Sequence, residues 1–168
     1  VRAITNLYAK GVRTLILPTA VDITKIPQYN TISSTTDKNF IRQRAIIFNA
    51  SLLAASTNLM ATRPGLKIYV PDIFSLLDDV VAHAANYGMT NALYFGQSID
   101  AIGDPALTDK SLNGPGRNYI FWDYQAPTAK FHAVIADYVQ QLISPVRIAD
   151  VITMAGNSEI VIANTPVG

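Results

Sequence analysis

The chain has 168 residues, with 49% hydrophobic, 15% charged and 9% aromatic side chains. This globular composition suits one domain that buries about two thirds of its unfolded surface. The formal net charge is +1 and no basic run tracks a phosphate backbone, which argues against a nucleic-acid partner; the absence of cysteine excludes disulfides and thiolate zinc sites.

Val1, Ile4, Leu7 and Tyr8 recur at helical spacing, and Gly11 is a plausible stop. The helix is under way at the first residue. With no initiator Met and no signal peptide, the expectation is a fragment or processed piece of a longer protein. Val12 to Leu17 reads as a fully buried strand ending at Pro18, and the loop from Thr19 to Thr36, with Pro27 and a Thr/Ser cluster, is expected to be exposed. From Asp37 to Ala61 the pattern is helical, with Ile41, Phe48, Leu52, Ala55 and Leu59 on one stripe and Arg63-Pro64-Gly65 as its end. No apolar run approaches the roughly 18 residues of a membrane span, so no transmembrane segment is expected.

Leu66 to Val70 is the next buried strand. Asp72 is a good N-cap for a helix with Ile73, Leu76, Leu77, Val80, Val81 and Ala84 on its apolar face, closed by Asn86-Tyr87-Gly88. Ala92 to Asn118 is irregular. A short aromatic strand from Tyr119 breaks at Asp123, and a helix re-enters at Pro127-Thr128 and runs to Ile143, burying Phe131, Ile135, Tyr138, Val139 and Leu142. Beyond Pro145, residues 151–154 and 160–163 suggest a β-hairpin, making 145–168 an extension or the start of an appended module beside a domain over 1–144. Alternating strand and helix calls for a parallel sheet with helices on both faces.

The segment Phe121-Trp122-Asp123-x-x-Ala126-Pro127-Thr128, with His132 four residues on, resembles the last sequence block of the SGNH or GDSL-type serine esterases and lipases. That block runs Phe-Trp-Asp-x-x-His-Pro-Thr and carries a second His further on. Leu-Tyr-Ala-Lys-Gly-Val-Arg-Thr-Leu-Ile-Leu-Pro, Phe48-Asn49-Ala50 and the stretch from Tyr69 to Asn91 follow the family as well. The resemblance covers residues 1 to about 144 and corresponds to the family's C-terminal half. It implies a three-layer α/β/α, flavodoxin-like sheet and hydrolysis of carboxylic esters without a cofactor or metal. The nucleophilic Ser and oxyanion-hole groups would belong to a missing N-terminal half, the expected partner of this chain, and an ester or acyl group would be the substrate. The resemblance implies a secreted or periplasmic setting.

In such enzymes the Asp fixes the tautomer of the His, and the His takes the proton from the Ser. Asp123 falls on the Asp position, with a helix cap or Asx-turn as its plain structural reading, but the His position holds Ala126. Three explanations stand: an engineered His-to-Ala variant, natural degeneration to a binding or structural protein, or another residue as base. His132 is the nearby alternative base. Six residues past Ala126 and beside the buried stripe, it reads better as a structural, hydrogen-bonded His. His83 reads as a surface residue, and Asp78-Asp79 and Asp37-Lys38 read as solvated helix faces. Tyr119, Phe121 and Trp122 read as packing residues before acyl-pocket ones, and Asp123 without an imidazole is expected to have its pKa raised unless a backbone amide satisfies it. Gly96-Gln97-Ser98 has the outline of a nucleophile elbow, but it stands in the wrong place for the family order, so Ser98 is not taken as the nucleophile.

Overall fold

Two strands and two helices carry the sheet half of the fold. The computed structural model describes residues 1–29, 32, 34–94 and 97–144; the hairpin expected within 145–168, and the extension it would form, lie outside the described residues. Helix α1 (Arg2–Ala9) ends where Gly11 takes φ +96°, a left-handed conformation that glycine adopts without a Cβ clash. Strand β1 (Thr14–Ile16) follows, and a long connection leads through α2 (Thr35–Thr62) to β2 (Lys67–Tyr69). The strands pair in parallel, Thr14 opposite Lys67 and Ile16 opposite Tyr69.

Side-chain alternation makes this sheet two-faced. Leu15, Leu17, Leu66, Ile68 and Val70 share a core with Ile4 of α1 and Leu59 of α2. The opposite face presents Thr14, Ile16 and Lys67, and Ile16 is 45% exposed. The fully buried strand expected over Val12–Leu17 is therefore shorter and half-exposed. Among the described residues β1 has one neighbour, so Thr14 and Ile16 direct their backbone groups to an open edge.

Helix α2 begins at Ser34, whose hydroxyl accepts from Asp37 N at 3.2 Å. Its inward face follows the expected stripe at Ile41, Leu52, Ala55 and Leu59 but not at Phe48. Ala45, Leu52, Ser56 and Leu59 are buried or half-buried, and Asn49 on the same side reaches Ala20. At 100° per residue this direction leaves Phe48 at the margin, 56% exposed, while Phe40, Ile47 and Leu53 are exposed as well. In length and composition α2 is apolar enough to cross a membrane; Leu59 and Met60 near its end pack into the core just described.

Helix α3 (Ile73–Ala82) matches its expected pattern: Asp72 caps it by accepting from Ser75 N at 3.1 Å, and Ile73, Phe74, Leu77 and Val80 are buried. A single 3₁₀ turn (Ala84–Tyr87) closes at Gly88 in the left-handed region. The irregular stretch that follows contains a minimal antiparallel hairpin, β3 (Leu93–Tyr94) with β4 (Gln97–Ser98), and turns closed by Asp100 and Asp104 carboxylates on downstream backbone amides. The last described helix is α4 (Ala129–Ile143). Leu77, Val80, Met89, Ile120, Phe121 and Phe131 form a second core to which no residue of β1 or β2 belongs. On α4, Phe131 is buried, Val134, Ile135, Tyr138 and Val139 are half-buried, and Leu142 is exposed against expectation. The whole is mixed α/β with a small parallel sheet.

Candidate active-site turn

Residues 119–122 do not form the expected aromatic strand, although the break at Asp123 and the helix entry at Thr128 are where expected. Residues 119–128 as a whole make a turn, a tight reversal held by isolated bridges, Thr90 with Tyr119 and Phe121 with Pro127. Trp122 N donates to Ala126 O at 2.8 Å and Thr128 N to Ile120 O at 3.0 Å, so both legs are pinned and Asp123, Tyr124 and Gln125 form the tip. From the other side, Ala101 N and Ile102 N donate to the carbonyls of Phe121 and Trp122 at 3.1 and 3.0 Å. Thr128 ends the turn and starts α4: its hydroxyl donates to Tyr119 O at 2.7 Å and accepts from Phe131 N at 3.2 Å. Phe121 meets Phe131 edge to face, with ring centroids 6.5 Å apart.

Asp123 is half-buried at this tip. Its Oδ1 accepts from Ala126 N at 2.6 Å and Gln125 N at 2.8 Å. These amides favour the ionised form, that of Ala126 most, and hold the carboxyl below the ordinary value of 3.8. Of the two outcomes open for an aspartate without its imidazole, the second is found: the turn's own amides satisfy the carboxylate, so its pKa is lowered and not raised. A depressed folded-state pKa contributes stability that is present above the unfolded-state value and lost as pH falls through the folded one. We expect the Asp123 carboxyl carbon, followed by NMR, to titrate with a midpoint below 3.8, and the Gln125 and Ala126 amides to lose exchange protection through the same transition. Oδ2 has no hydrogen-bond partner among the described residues.

Ala126 is half-buried, its amide on Asp123 and its carbonyl on Trp122, so this position is defined by backbone alone. His132 is exposed on the first turn and a half of α4 and has no side-chain hydrogen bond among the described residues, unlike the hydrogen-bonded role expected for it. His83 is a surface residue as expected, its Nδ1 2.8 Å from Asp79 Oδ1. Asp79 is exposed, but Asp78 is not a solvated helix face: it is half-buried and holds Arg42. Asp37, in the first turn of α2, is exposed. Phe121 is core and Trp122 half-buried, and the Tyr119 hydroxyl donates to Asp104 at 2.8 Å, in keeping with packing roles. Ser98 lies in β4, in a hairpin strand and not at a strand-to-helix elbow; Gly96 is outside the described residues.

The segment after β1 carried only a slight sequence sign of its importance. It is largely half-buried, not the exposed loop expected, and folds as two consecutive 3₁₀ turns, Ile23–Lys25 and Pro27–Tyr29. It reaches the tip directly: Gln28 N donates to Tyr124 O at 2.9 Å, and the Gln125 side-chain amide donates to the Gln28 side-chain oxygen. Asp22-x-Thr24, a small N-cap motif, was the available signal. A separate open hollow of about 360 Å³ beyond the strand ends, lined by Thr19, Asn49, Leu53, Val70 and Phe74 among others, does not include the Asp123 turn.

A carboxylate held on a backbone turn between core residues and a helix N-terminus is an arrangement suited to orienting an imidazole. Sequence comparison gives the same class: the chain is similar to GDSL-type esterases and lipases, as the block around Asp123 indicated. It is 28% identical over 139 residues to the GDSL esterase/lipase At5g03810 of Arabidopsis thaliana and 28% identical over 138 residues to the GDSL esterase/lipase EXL3 of the same plant. Each alignment covers 79% of this chain but only 39% and 38% of the relative, so the chain spans about two fifths of the length of the curated relatives it matches. No family model matches the chain.

Proposed function

We propose that this chain is the C-terminal part of a serine-dependent carboxylic-ester hydrolase, with Asp123 as the carboxylate of a Ser-His-Asp triad. The observation that carries the reading is the Asp123 turn, where a carboxylate held in its ionised form, with one oxygen unengaged among the described residues, stands within the Phe-Trp-Asp block. In the mechanism that follows, a serine from the remainder of the domain attacks the ester carbonyl while Asp123 steadies the base that takes its proton. A methyl group at Ala126 can accept no proton, so the chain as it stands supplies no base at that position. The remainder of the domain would add a strand to the open edge of β1 and cover Ile16 and the outer side of α2, giving a three-layer α/β/α sheet. The exposed apolar residues there support that reading. A secreted or periplasmic setting belongs to the proposal and is carried by the family resemblance alone.

Ala126 also favours a second reading, a binding or structural module that kept the fold and lost the chemistry. The test joins this chain to its serine-bearing half and measures hydrolysis of a short acyl ester. Negligible turnover, indifferent to His132→Ala, is expected with Ala126 in place. Turnover that survives with Ala126 and vanishes in His132→Ala makes His132 the base instead.

A further inference from the structure

We propose that residues 19–29 form a brace that sets the position of the Asp123 turn, with Arg42 as its anchor, which makes Arg42 and Gln28 positioning residues for the site. Their importance to chemistry rests on the reading of Asp123 above; the mechanical claim does not.

The segment is tied down at three places. Behind, Asn49 of α2 forms a double hydrogen bond with Ala20, its Oδ1 accepting from Ala20 N at 2.8 Å and its Nδ2 donating to Ala20 O at 2.9 Å. In the middle, Asp22 is 1% exposed and its Oδ1 accepts from the amide and hydroxyl of Thr24. Its Oδ2 accepts from Arg42 Nη1 at 2.7 Å. Burial alone would raise the Asp22 pKa; the bonds from Thr24 and Arg42 outweigh it and keep the group charged. In front, Gln28 holds the tip through Tyr124 O and Gln125.

Arg42 joins more than a pair. Its guanidinium also forks onto Asp78 of α3 and lies 4.5 Å from the centre of the Phe74 ring. One side chain of α2 therefore locks the brace to a second helix. A planar fork with this geometry is specific to arginine. Removing it leaves the Asp22 carboxylate buried without a counter-charge, a costly state that Asp22 can relieve only by moving or by taking a proton.

Between Asp22 and Gln28 the chain has little freedom. Lys25 N donates to Asp22 O, Ile26 N to Ile23 O and Tyr29 N to Ile26 O, each at 2.9–3.0 Å, and Pro27 fixes its own φ. A shift at Asp22 therefore travels to Gln28 and on to Tyr124. Where a site depends on carboxylate geometry, a misplacement of about 1 Å costs on the order of 10²-fold in rate.

The experiment is residue-resolved amide exchange on the chain with Arg42→Gln, Arg42→Lys and Gln28→Ala. Expected is loss of protection at Gln125 and Ala126 of about tenfold or more in Arg42→Gln, with α4 amides from Phe131 onward unchanged. Gln28→Ala should act in the same direction, and Arg42→Lys should restore part of the protection. Unchanged Gln125 and Ala126 protection in both Arg42→Gln and Gln28→Ala overturns the brace, as does an equal loss throughout α4, which would mean general loosening. If Arg42→Gln does not fold, Gln28→Ala decides by the same readout. Absence of ester hydrolysis in any protein would bear on the proposed function alone, because exchange is read without substrate.

Discussion

Replacing Ala126 by His in the hydrolase completed by its serine-bearing half raises ester hydrolysis by on the order of 10³-fold or more, the scale on which loss of a triad base is felt. Asp123 Oδ1 is taken up by two amides, and Oδ2 has no partner among the described residues, which leaves that oxygen to accept from an imidazole Nδ1–H. Ala126 contributes only backbone to the local network, and its neighbours hold that backbone whatever side chain it bears. The assay is hydrolysis of a short acyl ester, with Asp123→Asn in the same background as a control that should abolish most of the gain. If Ala126→His folds, the serine is present and the rate does not move, the binding-module reading takes over.

Phe131→Ala is expected to be the most damaging single truncation among the residues discussed, at about 3–5 kcal/mol. Phe131 is 3% exposed, packs against Phe121, and lies in the core with Leu77, Val80 and Ile120. Its amide also receives the Thr128 cap, so the cavity opens where the turn joins α4. Urea unfolding should show a lower midpoint with an unchanged slope. A loss under about 1 kcal/mol would mean that this core collapses around the gap.

The sequence made the helices around this core legible because their patterns are local. Asp72 with its apolar followers, Gly11 and Thr128 each declare an element boundary by backbone chemistry that nearby residues complete. Where a distant partner decides, the reading failed. Phe48 belongs to the expected stripe of α2 yet is exposed, while Asn49 and Ser56, which an apolar pattern passes over, are half-buried and buried. The Thr19–Thr36 loop looked exposed because of Pro27 and its Thr/Ser cluster, while the buried Asp22 pairs with a half-buried Arg42 twenty residues on. At the site, the resemblance identified Asp123 and the anomaly at Ala126. An Asx-turn at Asp123 was also open from its residue type, and the structure has it; the contact of Gln28 with Tyr124, nearly a hundred residues on, left no local trace.

The parallel pairing of β1 with β2 joins residues some fifty positions apart, with the whole of α2 between them. Loop closure over that span gains nothing until the pairing is made, so it belongs to the slow part of folding. The reversal at 119–128 closes over fewer than ten residues and its aromatic partner lies on the next helical turn. During folding the carboxylate's turn can thus assemble early, on local contacts, while the sheet that orients it relative to the rest of a catalytic domain arrives late.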